Sequence, residues 1–269
     1  MSRYAGMFER LAQGGEGAFG AFVMLGDPDL EASGAILDAL VEAGADMLEV
    51  GIPFSDPIAD GPVIQAAASR ALAAGVRTED CFALLAEFRA RHPEVPVGIL
   101  TYANLVVARG RDDFYTRAAA AGVDSILVAD VPLFEAAPFA ASARAHAVQP
   151  VLIAAANTPP ARLAEIAALG GGYTYCVARS GVTGADTSAH FDHEAMLAAL
   201  KAANAPPAIF GFGISAPDHV RAALAAGAAG VICGSAIVKR IAAGRLDEAR
   251  LLVNALKAAT RLSPEGGGR

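Results

Sequence analysis

Hydrophobic residues recur along this chain in short, uninterrupted runs that are separated by longer amphipathic stretches. Apolar runs without polar alternation are typical of parallel strands that are covered on both faces. The pattern predicts eight strands, at 18–25, 46–52, 95–101, 124–130, 148–154, 172–177, 207–212 and 229–233. It also predicts helices at 29–43, 62–74, 78–91, 110–121, 134–146, 159–168, 191–203, 216–226, 235–243 and 246–262, and an amphipathic segment at 3–12 precedes the first strand.

One phrase recurs, made of a helix end, a glycine, a short apolar strand and then glycine, proline or serine. It occurs at 42–54, 120–132 and 225–237, with a looser copy at 168–181. Eight β-then-α units without a linker predict one (β/α)₈ TIM barrel over residues 1–269, with an extra N-terminal helix. An open doubly wound sheet is the alternative, but that fold more often carries G-x-G-x-x-G after its first strand. The last residues, 263–269, are expected to form a disordered tail.

Composition narrows the class of protein. The chain has 269 residues and a net charge of −7, which argues against binding of a nucleic-acid backbone. Its three cysteines lack the spacing of metal ligands, and the N-terminal segment lacks the apolar core of a secretory signal. The uncharged stretch 222–238 is too short for a membrane span and is interrupted by glycines. We therefore expect a soluble, cytoplasmic protein that binds neither nucleic acid nor membrane.

The stretch MLEVGIPFSDPIADGP at 47–62 places Glu49 inside an apolar strand and Asp60 in the loop that follows. A buried carboxylate is costly unless it is paired or its pKa shifts. Glu49 is therefore either a general acid or base with a raised pKa, or a buried acid that a neighbouring Arg or Ser satisfies. Asp60 precedes a helical pattern, so it could instead be a helix N-cap, and Asp27 is interpreted as a plain N-cap.

Three glycine-rich strand ends occur late in the chain, at 181–184, 211–215 and Gly234-Ser235. In barrels of this type a phosphate site commonly lies at the loops after strands seven and eight, where bare backbone N–H groups are accessible. Each glycine alone could simply serve a turn, and Ser235 could be a helix N-cap. Together the three clusters predict a phosphate site.

The remaining polar residues limit the mechanism. Lysine occurs only at 201, 239 and 257, on predicted helices, which excludes a Schiff-base lysine at a strand end. The five histidines lie in predicted loops or helices without a strand-end partner, so no catalytic metal is expected. Tyr173 and Tyr175 alternate on one strand face, a pattern that core packing would also produce. We therefore expect the mechanism to depend on carboxylates, hydrogen bonds and phosphate binding.

The motifs together resemble one known family. Residues 49–62 closely resemble the signature of the tryptophan synthase alpha chain family, and the resemblance continues from about residue 16 to residue 260. Further matching motifs are YANLV (102–106), DSILVADVP (124–132), YTYCVARSGVTG (173–184), GFGIS (211–215) and GSAIVK (234–239). One departure follows strand five, where family members usually carry a proline-containing stretch and this chain reads Ala154-Ala-Ala-Asn-Thr158.

The resemblance implies a reaction and a set of site residues. The family reaction is the retro-aldol cleavage of indole-3-glycerol phosphate to indole and glyceraldehyde 3-phosphate. By this resemblance Glu49 would move the proton, Asp60 would stabilise charge on the indole ring, and Tyr175 would lie near the substrate. The other implied roles are an apolar indole slot of Phe22, Leu100 and Phe212, a phosphate site of Gly184, Gly213, Gly234 and Ser235, and Thr183 on a mobile loop.

The family also implies a partner, a beta chain that carries pyridoxal phosphate and receives indole within an alpha2beta2 complex. No cofactor or metal is expected in this chain itself. The candidate partner contacts are Asp56-Pro57, 102–104 and Pro132. Two other functions stay open: a phospho-sugar isomerase or epimerase with an acid–base pair elsewhere, and an inactive barrel that only activates a partner.

Overall fold

A computed structural model describes residues 2–177, 194–211 and 213–261. All the named strands in these ranges run parallel in one sheet. They are β1 (Ala18–Met24), β2 (Met47–Gly51), β3 (Val97–Thr101), β4 (Ser125–Val128), β5 (Gln149–Pro150), β6 (Leu152–Ala155), β7 (Thr174–Val177), β8 (Ala208–Phe210) and β9 (Gly230–Cys233). The sequence-predicted tail at 263–269 lies outside the described residues.

Helices follow the strands along the chain. They are α1 (Arg3–Gln13), α2 (Leu30–Glu42), α3 (Pro62–Ala73), α4 (Thr78–Arg91), α5 (Ala103–Val107), α6 (Arg111–Ala120), α7 (Ala136–Ala145), α8 (Pro160–Leu169), α9 (Glu194–Ala202), α10 (Pro217–Ala225), α11 (Ser235–Ala242) and α12 (Leu246–Ala258). A short 3₁₀ helix spans Leu133–Glu135. The sequence did not predict α5, which has a single turn and no amphipathic period. No helix in the described ranges is long and apolar enough to cross a membrane.

The sheet closes through its fifth strand. The strand order is β5-β4-β3-β2-β1-β9-β8-β7-β6, so β5 pairs with β4 while β6, two residues on, pairs with β7. The single predicted strand at 148–154 is therefore two short pieces. Pro150 has no N–H to donate to a ladder, and the strand changes partner next to it. The eight predicted strand positions are otherwise confirmed, and they form a closed (β/α)₈ barrel with a helix before the first strand.

The N-terminal helix α1 packs against the start of the strands. Its apolar face buries Tyr4, Met7 and Leu11. The Tyr4 hydroxyl lies 2.8 Å from Oγ of Ser125, the first residue of β4. Tyr4 also meets the ring of Tyr173 edge-on, with centroids 5.4 Å apart. The helix thus fills one end of the barrel and leaves the other end, where the strands finish, for a cavity.

The N-cap interpretation of Asp27 is wrong. Helix α2 is capped by Asp29, whose Oδ1 accepts a 2.8 Å hydrogen bond from Ala32 N–H. Asp27 is buried and forms a bidentate ion pair with Arg70 of α3, with both N–O distances at 2.7 Å. Two carboxylates two positions apart offer the same local capping pattern, so only the position of Arg70 separates their roles.

Candidate active site

A cavity of about 500 Å³ lies where the barrel strands end. Eight of the eleven sequence-predicted site residues line it, namely Phe22, Glu49, Asp60, Leu100, Tyr175, Gly213, Gly234 and Ser235. The other three, Thr183, Gly184 and Phe212, lie outside the described residues, as does the segment 179–190. Residues from six different strand ends or their following loops thus meet around one volume large enough for a small ligand.

Glu49 is the most deeply buried acid of the cavity, with 1% of its surface exposed. In the sheet register it stands beside Phe22 of β1 and Gly98 of β3. Its Oε1 accepts a 2.7 Å hydrogen bond from the Tyr173 hydroxyl, whereas Oε2 has no hydrogen-bond partner among the described residues. Burial raises the pKa of Glu49 to about 7, and the nearby charge of Asp60 acts in the same direction. The Tyr173 hydrogen bond opposes this rise.

Space beside Glu49 exists because position 98 is glycine. A Cβ on Gly98 would lie 2.5 Å from Ser125 Oγ, 2.9 Å from the Tyr4 hydroxyl and 3.7 Å from the Tyr173 hydroxyl. Three hydroxyl groups therefore converge at the gap that this glycine leaves. Any larger residue would displace the hydroxyls of Ser125 and Tyr4, which pack beside the Tyr173 hydroxyl that holds Glu49. The Arg-or-Ser alternative for Glu49 is not the arrangement found, since its described hydrogen-bond partner is a tyrosine.

Asp60 lies on the loop between β2 and α3 and is 6% exposed. It does not cap the helix, because the N-cap of α3 is Gly61 and makes no side-chain cap hydrogen bond. Instead its Oδ2 accepts a 2.8 Å hydrogen bond from the Tyr102 hydroxyl. Burial raises the pKa of Asp60, and the Tyr102 hydrogen bond lowers it. A carboxylate held in this way can present negative charge to a ligand in the cavity.

Tyr175 points into the same cavity from β7 and is buried. Its pKa is raised well above the ordinary value, first by burial and then by the charges of Glu49 and Asp60. The ring passes directly over Gly211, where an added Cβ would lie 1.9 Å from both Cζ and the hydroxyl oxygen. Gly211 therefore permits the position of Tyr175, a role that its place in a glycine-rich strand end does not indicate.

The opposite wall of the cavity is formed by the glycine-rich strand ends and the start of α11. Gly213 has φ of 81°, a left-handed conformation that favours glycine. Helix α11 begins at Ser235 with Gly234 as its N-cap, so Ser235 is the first helical residue rather than the cap. Backbone N–H groups at such a helix start attract anions.

Three basic side chains that the sequence analysis did not select also line the cavity: His219, Lys239 and Arg240. They lie on helices after the glycine loops, whereas the strand-end pattern indicates only residues at the strand ends themselves. The sequence does contain an indication for Lys239. It follows Ser235 by four residues and therefore lies on the same face of the helix. Two acidic side chains, Glu49 and Asp60, and the cations of Lys239 and Arg240 thus line one cavity.

Between the charged groups the wall is apolar. Besides Phe22 and Leu100, it includes Ile64, Leu127, Ala129, Ile153 and Ile232. Most of these lie on strands or at strand ends, as do Phe22 and Leu100, which the family resemblance implied. The unusual stretch after strand five closes as a tight turn, in which Ala155 N–H donates to Thr158 Oγ1 at 2.9 Å. Ile153, just before this turn, faces the cavity, so the wall includes the fifth strand as well.

The described residues contain no group of three or more His, Cys, Asp or Glu side chains that could hold a metal ion. The chemical groups that meet in the cavity are two carboxylates, a tyrosine, an apolar slot and a basic, glycine-rich wall. The arrangement suits an aromatic substrate with an anionic end that undergoes proton transfer.

Comparison with known proteins identifies the family. The family model described as "Tryptophan synthase alpha chain" matches residues 8–263. The chain belongs to the tryptophan synthase alpha chain family. The alpha chain of Shewanella amazonensis is 55% identical over 266 residues, which cover 97% of this chain and 100% of that protein. The alpha chain of Escherichia coli is 54% identical over 258 residues, with 96% of each covered.

Solved structures agree with the tryptophan synthase alpha chain family assignment. A chain in the structure of Mycobacterium tuberculosis tryptophan synthase superposes with a TM-score of 0.89 at 32% identity, and covers 97% of this chain and 99% of that chain. Tryptophan synthase subunit alpha from Legionella pneumophila gives a TM-score of 0.85 at 29% identity, with 97% and 98% covered. The family and its fold establish this protein as a lyase subunit of tryptophan biosynthesis.

Proposed function

We propose that this chain cleaves indole-3-glycerol phosphate to indole and glyceraldehyde 3-phosphate, with Glu49 as the proton carrier. The observation that carries this proposal is a fully buried carboxyl with a pKa of about 7 that lines the same cavity as Asp60. At neutral pH both protonation states of such a group are populated, so it can act as acid and as base.

The bond changes account for both carboxylates. A proton goes to indole C3, the bond from C3 to the glycerol chain breaks and its electron pair returns to the ring, and the electrons of the adjacent O–H bond form the new carbonyl. The hydroxyl proton is the one that leaves, so Glu49 gives one proton and takes one back. Positive charge builds on the ring while C3 is protonated, and Asp60 accepts from the ring N–H and stabilises that charge. Tyr175 lies against the same reacting region.

The rest of the cavity binds the ends of the substrate. Phe22 and Leu100, with Phe212, form the apolar indole slot. The phosphate is bound by the backbone at Gly213, Gly234 and Ser235, with Gly184. The lining of the cavity supports this proposal, because Phe22 and Leu100 of the slot border the same volume as three residues of the phosphate site. These three are Gly213, Gly234 and Ser235. Thr183 lies on the loop that closes over the substrate in this proposal.

The partner is a beta chain that carries pyridoxal phosphate and receives indole within an alpha2beta2 complex. This chain itself uses no cofactor in the proposed reaction. Three consecutive loops, after β2, β3 and β4, carry exposed hydrophobic side chains beside the candidate contacts Asp56-Pro57, 102–104 and Pro132. These side chains are Ile58, Val107 and Phe134, which are 72%, 45% and 74% exposed.

The decisive experiment is indole release from indole-3-glycerol phosphate, measured with and without a saturating beta chain. We expect turnover by the chain alone and a higher rate with the partner, because a partner that prefers the closed loops shifts their population. Conversion of a phospho-sugar without indole release would support the isomerase or epimerase alternative. Activation of the beta chain without any cleavage would support the inactive barrel, and Glu49→Gln protein supplies the background rate.

A further inference from the structure

Tyr102 lies between the end of β3 and the loop after β2 that carries Asp60. It follows β3, forms the N-cap of α5 and is 2% exposed. Its hydroxyl donates to Oδ2 of Asp60 at 2.8 Å and accepts from the Ala59 N–H at 3.2 Å. One hydroxyl group therefore fixes both the backbone beside Asp60 and one oxygen of its carboxylate.

The ring of Tyr102 holds the same loop at a second point. It stacks on Phe54 with ring centroids 5.3 Å apart and an interplanar angle of 28°. Phe54 lies near the start of the loop between β2 and α3, Asp60 lies near its end, and Ile58 between them is exposed. Tyr102 thus contacts the loop near its beginning and at its end, while the middle of the loop faces outward.

A second hydrogen bond extends this arrangement to the following loop. The N–H of Ala103, the first residue of α5, donates to Oδ1 of Asp130 at 2.7 Å. Asp130 lies between β4 and the 3₁₀ helix that carries exposed Phe134. The loops after β2, β3 and β4 are therefore joined through Tyr102 and its neighbour.

We propose that Tyr102 is a positioning residue, which sets the Asp60 carboxylate for the reaction and links its position to these three loops. This inference rests on the proposed function. Tyr102 uses Oδ2, so Oδ1 is the oxygen that accepts from the ring N–H of the substrate. A displacement of either neighbouring loop shifts the Tyr102 hydroxyl and, with it, the carboxylate.

A purely structural role for Tyr102 would give a different result on mutation. Tyr102→Phe keeps the ring and its stacking on Phe54 but removes the hydroxyl. We expect kcat to fall about tenfold or more, the size of a lost hydrogen bond to a charged group, with KM within twofold. Tyr115→Phe is the matched control, because Tyr115 is a buried tyrosine outside the cavity. It should leave both kcat and KM unchanged.

A double-mutant cycle shows whether Tyr102 acts through Asp60. In the Asp60→Asn background there is no carboxylate charge to position, so adding Tyr102→Phe should lower kcat less than threefold further. A full additional tenfold loss would overturn the proposal and leave Tyr102 with an independent role. Unchanged kcat in the single Tyr102→Phe variant would overturn it as well, and Asp60→Asn would still report on the proposed reaction.

A separate measurement tests whether Tyr102 links the position of Asp60 to the neighbouring loops. The rate gain from saturating beta chain should be at least threefold smaller in Tyr102→Phe than in wild type, since partner contact then no longer reaches Asp60 through the hydroxyl. An undiminished gain would remove the linkage part of the proposal. Absence of cleavage by wild type, with and without partner, would instead contradict the proposed function.

Discussion

Tyr173 donates a 2.7 Å hydrogen bond to Oε1 of Glu49, and Oε2 of the same carboxylate has no hydrogen-bond partner among the described residues. One oxygen is thus held while the other remains for a ligand. A buried, half-satisfied carboxylate of this kind favours its protonated form, which agrees with a pKa raised to about 7. The same feature leads to predictions for both activity and stability.

Glu49→Gln should abolish most of the activity without preventing folding. Glutamine keeps an oxygen that can accept from Tyr173, but it cannot exchange a proton with the substrate. We expect kcat to fall roughly 10²–10⁴-fold, the usual loss for a removed acid–base group, with KM nearly unchanged. Indole release measures the rate, and circular dichroism checks the fold. Turnover within threefold of wild type would contradict the assignment of Glu49 as the proton carrier.

The stability of the protein should depend on pH through Glu49. Its pKa is about 7 in the folded state, against an ordinary value of 4.5 for glutamate, so between these values the folded state binds more protons than the unfolded state. The free energy of unfolding therefore falls as pH rises through this window. Relative to wild type, Glu49→Gln should gain about 2 to 3 kcal/mol between pH 5 and pH 8, measured by urea denaturation.

The comparison between wild type and variant isolates Glu49 from other buried acids. Asp46 and Asp60 also have pKa values raised by burial, but both are present in the two proteins and largely cancel in the difference. A stability difference that stays constant from pH 5 to pH 8 would contradict the raised pKa of Glu49.

Asp60→Asn distinguishes charge stabilisation from hydrogen bonding alone. Asparagine can still accept from the Tyr102 hydroxyl, but it carries no negative charge. We expect kcat to fall about a hundredfold or more with little change in melting temperature, because the charge matters mainly when the ring becomes positive. Near-normal turnover of this variant would show that Asp60 has no electrostatic part in the reaction.

Local sequence patterns predicted most of the barrel because strand and helix periods are local properties. They failed where the role of a side chain depends on a contact with a residue that is distant in the sequence. Tyr173 meets Glu49 across 124 residues, so its alternation with Tyr175 looked like core packing. Asp27 has the local pattern of a cap, and its actual role depends on Arg70 of α3, which is 43 residues away in sequence.

The candidate site was predictable to the extent that barrels gather strand ends at one face. This rule predicted Gly234, whereas Phe22 and Leu100 were predicted from the family resemblance. His219 and Lys239 were missed because they reach the cavity from helices, and the sequence does not indicate how far a helix extends over the barrel mouth. The sequence analysis predicted one strand at 148–154 without a break at Pro150. A proline inside a strand is itself a signal for such a break, because it cannot donate a hydrogen bond to a neighbouring strand.

Gly213→Ala should weaken substrate binding more than it affects the chemical step. A side chain there keeps the backbone from approaching the phosphate, which is remote from the broken bond. We expect KM to rise roughly tenfold, and Gly234→Ala should act in the same direction, since its Cβ would also press on Phe22 at 3.3 Å. Gly244→Ala is the control, because φ is 70° there and the site is remote. Equal KM in all three variants would place phosphate binding elsewhere.

Gly211→Ala tests whether the position of Tyr175 matters to the reaction. A Cβ at residue 211 would lie 1.9 Å from the Tyr175 hydroxyl oxygen, so the ring must leave its place. The methyl group itself is small, and the backbone at residue 211 is not in the left-handed conformation that disfavours alanine. We therefore expect kcat/KM to fall roughly tenfold or more, because a misplaced group in a catalytic site commonly costs this much.

The matched control for this change is Gly14→Ala at the end of α1. Its φ is −82°, and an added Cβ would meet its neighbours only at 3.5 Å or more, so the same substitution causes no displacement there. Tyr175→Phe completes the set, since it removes the hydroxyl but leaves the ring over Gly211. If displacement of the ring is what matters, Gly211→Ala should lose more activity than Tyr175→Phe. Full activity of Gly211→Ala would mean that Tyr175 only packs the barrel, and its place in the proposed reaction would then be withdrawn.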